Sequence, residues 1–94
     1  MELAIVVGQV VSTVKCSGFS GDRLLLVDFL DGEGKPLGSI HVAADGIGAG
    51  TGEWVLVVQG SSARKTLGDD VPVDMSVVGI VDEVVVANRV VYHK

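Results

Sequence analysis

The sequence predicts an all-β fold: a small five-stranded OB-like β-barrel with one short helix between strands four and five and a C-terminal hairpin extension. Three observations point there. Val, Ile and Thr make up 27 of the 94 residues, 20 of them Val, and branching at Cβ suits a pleated sheet better than a helix. Thirteen glycines, often beside Asp or Ser, cut the chain into strand-length pieces. The spaces between those cuts leave no room for long helices. A chain this short holds one core, so residues 1–94 are expected to form a single domain. An apolar content of 48% excludes disorder.

The elements follow in order. Leu3 to Val14 reads as a long first strand, bent at Gly8, and Ser17 to Asp22 as a loop. Arg23 to Leu30 is the second strand. Asp31-Gly32-Glu33-Gly34-Lys35-Pro36 has the chemistry of a hairpin tip, because Gly supplies positive φ, Asp bonds its own backbone and Pro fixes φ. Ser39 to Ala44 and Glu53 to Gln59 are strands three and four. One or two helical turns are expected over Ser61 to Leu67, capped by Ser61 or Ser62 and closed by Gly68. Ser76 to Val86 is the fifth strand, and Asn88-Arg89 turns the chain into a last short strand, Val90 to His93.

Half-buried strands alternate apolar with polar residues, and these do not. Leu3 to Val7, Leu24 to Val27, Trp54 to Val58 and Val84 to Val86 are apolar on both faces. A small barrel can turn only one face of each strand inward. Neighbouring copies are the expected cover for the other, since a large exposed apolar patch is unfavourable on a soluble monomer. Self-association is the first functional expectation.

The charge balance argues against several partners. Twelve acids against seven bases give −5, and the bases are scattered, with Arg64-Lys65 the single adjacent pair. Nucleic acid and anionic membranes need clustered cations, so neither is expected as a partner. A lone cysteine, Cys16, makes no internal disulfide and suits a reducing compartment. No targeting segment is expected, because Glu2 stands where a signal peptide is basic and Gly8-Gln9 interrupts the apolar run.

Candidate chemistry is sparse. Gly46 to Glu53 is glycine-rich, but Glu53 and Thr51 stand where a dinucleotide fingerprint needs Gly, no Walker lysine follows, and the next element is a strand. The bland reading is a tight connection whose backbone packs closely on a neighbour. Gly60-Ser61-Ser62-Ala63-Arg64 lacks the final Gly of a nucleophile elbow, and helix capping accounts for its serines. His41, His93 and Cys16 have no metal-ligand spacing. Asp69-Asp70 and Asp82-Glu83 read as solvated or interfacial acids rather than a catalytic pair. Trp54, the single Trp, reads as a packing anchor, since stacking platforms for nucleic acid need several aromatics in a basic groove. No cofactor and no metal are expected, and no enzymatic activity.

Certain segments taken together are more specific. They are Leu3-Ala4, Gly8-Gln9-Val10-Val11-Ser12-Thr13, Leu24-Leu25-Leu26-Val27, Ile47 through Val57, Gly60 through Arg64, Pro72-Val73-Asp74, Val78 through Asp82 and the terminal His93-Lys94. In this order, over nearly the whole chain, they resemble the vertex proteins of bacterial microcompartments, the EutN/CcmL/PduN family, with an ethanolamine- or choline-utilisation look. The resemblance implies an OB-like barrel that assembles into a ring of five in the bacterial cytoplasm. Such rings close the corners of a polyhedral shell whose facets are hexameric proteins. It implies no catalytic residues. It places Gly48, Ala49, Gly50, Thr51, Gly52, Glu53 and Trp54, with Ser61, Ser62 and Arg64, near subunit contacts and the ring centre. A ring of six would differ by a small angle per subunit, and the resemblance favours five. A monomeric OB-type binding module is the alternative.

Overall fold

The structure, a computed structural model, describes residues 1–11, 23–60 and 74–94. Seven strands form in chain order: β1 (Glu2–Val10), β2 (Arg23–Leu30), β3 (Pro36–Asp45), β4 (Trp54–Gln59), β5 (Met75–Ile80), β6 (Glu83–Val86) and β7 (Arg89–His93). The first five close into a barrel in the order β1-β2-β3-β5-β4, with β4 pairing back onto β1. Every pair is antiparallel except β3–β5, which is parallel. The last two strands form a separate hairpin.

One residue in two points inward, as strand geometry requires. Ala4 and Val6, Leu25 and Val27, Ala43, Val55 and Val57, and Met75 and Val77 meet in one core, joined by Ala49 from the loop after β3. Phe29 and Ile80 pack against it. Small Ala beside branched Val and Leu fits the narrow interior of five strands. The bend expected at Gly8 is a β-bulge between Val6 and Gly8, which leaves Val7 unpaired and exposed.

The expected helix between strands four and five requires correction. Every described element is a strand, and β4 pairs directly with β5 as an antiparallel neighbour, a connection that needs no helical crossover. Gly60, at φ 63°, donates its N–H to the Asp74 carbonyl at 2.7 Å and so ties the two strand ends together. The Ser61 to Leu67 span of the expected helix lies outside the described residues. So do Ser12 to Val14 of the expected first strand and the expected loop from Ser17 to Asp22. The single fifth strand expected over Ser76 to Val86 is two elements. The chain leaves the barrel at Val81, whose N–H bonds the Trp54 carbonyl at 2.8 Å, and restarts as β6.

Strand three is longer than expected because the turn before it is tight. Asp31 N–H donates to the Lys35 carbonyl at 2.9 Å, and the Asp31 carboxylate accepts from Glu33 N–H and Lys35 N–H at 2.8 and 2.9 Å. These bonds hold the Asp31 carboxyl below its ordinary pKa, the Lys35 amide contributing most. The hairpin turn falls on Ala87-Asn88, one residue earlier than expected, with φ of 50° and 65°. Two successive positive φ values mark a type I′ turn, which matches strand twist but strains Ala. Replacing Ala87 with Gly should therefore stabilise the hairpin by about 0.5–1 kcal/mol. A rise in the thermal midpoint of Ala87→Gly, read by circular dichroism, checks this; a fall contradicts the turn assignment.

Candidate subunit interface

The glycine-rich loop is built by a buried acid. Asp45, the last residue of β3, is 2% exposed and accepts from the amides of Ile47 (2.9 Å), Gly48 (3.1 Å) and Ala49 (2.9 Å). Hydrogen bonds to a charged acceptor contribute about 1.5–3 kcal/mol each, so this clamp shapes the loop more strongly than any apolar contact in it. It turns Ala49 down into the core and leaves Ile47 in solvent. Gly48 and Gly52 take φ of 99° and 90°, so the requirement for glycine's freedom falls on them. Gly50 is constrained differently: a Cβ there would lie 3.3 Å from the Glu53 carboxylate.

Glu53 closes the loop. Its carboxylate accepts from Gly50 N–H at 2.6 Å and pairs with the Lys94 ammonium at 3.0 Å. Its carbonyl accepts from Val6 N–H at 2.9 Å, while Gly52 N–H donates to the Val6 carbonyl at 2.8 Å. The loop is thereby stitched to the bulged part of β1 on one side and to the C-terminus on the other. Arg23 adds a longer contact, 3.3 Å to the Ala49 carbonyl.

The next residue, Trp54, anchors the C-terminal hairpin. Its ring stacks on Tyr92 with centroids 4.2 Å apart and planes 14° from parallel, and its amide donates to the Tyr92 hydroxyl at 3.3 Å. On the indole's six-membered ring lies Gly34 of the β2–β3 turn, where a Cβ would fall 2.5 Å from a ring carbon. Trp54 is buried, with Tyr92 and Gly34 of the same chain against its ring, so it packs as an anchor. Offset stacking of this kind adds about 0.5–1.5 kcal/mol beyond burial.

Of the residues expected at subunit contacts, Gly48 to Trp54 are brought together in one connected loop and anchor. Ser61, Ser62 and Arg64 lie outside the described residues, as does Cys16. His41 stacks on Phe29 at 4.5 Å and lies 3.0 Å from the Ser39 hydroxyl, while His93 is exposed beside the chain end. No group of His, Cys, Asp or Glu among the described residues could hold a metal ion. Sequence reasoning missed Asp45, Gly34, Tyr92 and Lys94. Asp45-Gly46 before a glycine-rich run is a signal that could have found the first, through Asx-turn chemistry.

The outer surface is apolar where a solvated barrel would be polar. Val7, Ile40, Val42, Ile47, Val85 and Val90 are each exposed by two-fifths or more. With a carboxylate-clamped loop and a strapped hairpin beside this surface, the molecule has the form of a self-assembling structural module. The family described as "Ethanolamine utilisation protein EutN/carboxysome" matches residues 1–82. The chain is 55% identical over its full length to the bacterial microcompartment shell vertex protein EutN of Salmonella typhimurium, covering 96% of that protein. It is 54% identical to the carboxysome shell vertex protein CcmL of Synechocystis, covering all of this chain and 95% of that one. A solved ethanolamine utilization protein EutN superposes with TM-score 0.92 at 54% identity, covering 100% of this chain and 99% of the other. The chain belongs to the EutN/CcmL family of bacterial microcompartment shell vertex proteins.

The anchor and the loop closure can each be tested. Gly34→Ala should cost more than about 1–2 kcal/mol, since it adds left-handed backbone strain to a collision with the indole. Trp54 is the sole Trp, so its emission should shift to the red as the ring loses cover; unchanged emission and stability would contradict the packing. The loop closure should respond to pH. The Gly50 amide and then Lys94 hold Glu53 below its ordinary pKa, and Glu53 raises Lys94 above its own. A lowered acid stabilises above its unfolded pKa and is lost as pH falls through the folded one. A raised amine stabilises below its unfolded pKa and is lost as pH rises through the folded one. The Glu53–Lys94 tie should therefore hold across the neutral range and loosen once pH falls through the lowered Glu53 pKa or rises through the raised Lys94 pKa. A pH titration of tail amide exchange near Lys94 checks it, with protection expected to fall at both extremes.

Proposed function

We propose that this chain forms a cyclic homopentamer that closes the vertices of a polyhedral microcompartment in the bacterial cytoplasm, seated among hexameric shell proteins, and that it performs no catalysis. One observation carries the reading: strands apolar on both faces within a single barrel, with Ile40, Val42, Val85 and Val90 left in solvent by the lone subunit. Solved structures support five as the count. The chain resembles the "GrpN pentameric microcompartment shell protein" of Rhodospirillum rubrum with TM-score 0.83 and 46% identity, covering 93% of this chain and 100% of that one. Residues 1–94 act as one vertex domain. The loop Gly48 to Trp54, with Ser61, Ser62 and Arg64, lies near the contacts and the ring centre in this reading. The ethanolamine-utilisation relatives are 54–55% identical and the carboxysome relatives 43–54%, which supports the ethanolamine-utilisation look.

Native mass spectrometry tests the assembly. The expected species is five times the 9.7 kDa chain. A six-fold mass would overturn the count, and a single-chain mass would favour a lone binding module. In cells that build the shell, deletion of the gene should leave elongated or leaky compartments, and closed polyhedra without it would remove the vertex role.

A further inference from the structure

We draw no further inference here: the strongest candidate, the cleft of about 360 Å³ between the β2–β3 turn and the C-terminal hairpin, lined by Glu33, Lys35, Val86, Ala87, Arg89 and Val91, carries nothing, because Glu33 offsets one of its two cations and nothing in the structure shows what covers its apolar wall.

Discussion

A five-stranded barrel has one interior, and its strands have two faces. Ala4, Val6, Leu25, Val27, Val55, Val57 and Val77 fill the interior. The intervening residues on β2 and β3 are Leu24, Leu26, Ile40 and Val42, which a solitary barrel would replace with polar side chains. Each square ångström of such surface left wet costs roughly 25 cal/mol. That constraint ties the composition to assembly. A chain with 20 valines, and no helix among its described residues to lay over the strands, becomes well covered only in company.

The same constraint explains how the glycine loop and the hairpin are tied together. An assembly requires surfaces held in a fixed relation, and loops and two-stranded hairpins are the least rigid parts of a small fold. Here both are locked by one cluster. Glu53 ties the loop to Lys94, Trp54 ties the barrel to Tyr92, and the Val81 amide bonds the Trp54 carbonyl where the chain departs for the hairpin. The Lys94 amide bonds the Asp82 carbonyl at 2.9 Å and closes the hairpin's base. Two adjacent residues, Glu53 and Trp54, thus set the position of the C-terminal element relative to the barrel, so a change at either would move the hairpin.

The barrel was legible in the sequence because its signals are local: β-branched runs, and turn residues such as Asp31-Gly32 and Asn88. Apolar residues on both faces made the need for partners legible too. The split of Ser76 to Val86 was not, because Val81 and Val84 to Val86 have the composition of one strand, and the break depends on a bond from Val81 to Trp54, distant in sequence. The role of Trp54 was half visible. Its size marked an anchor, but its partners Gly34 and Tyr92 lie 20 and 38 positions away, and no local pattern pairs them. Glycine's role shifted within the loop for a similar reason. Conformational need fell on Gly48 and Gly52, while Gly50 answers to the Glu53 side chain.

Buried carboxylates are often where chemistry resides, and among the described residues two occur, Asp28 and Asp45. Both are committed to the backbone. Asp28 accepts from Gly38 and Ser39 amides at 3.0 Å, beside the bulge that follows it in β2, and Asp45 accepts from three successive loop amides. An acid held by fixed backbone amides in this way gives direction to a chain segment. Asp28 holds Gly38 and Ser39, just before Ile40 in β3, while Asp45 marks the end of β3 and launches the glycine loop. The two buried acids among the described residues therefore serve to shape the strand and loop that carry apolar surface.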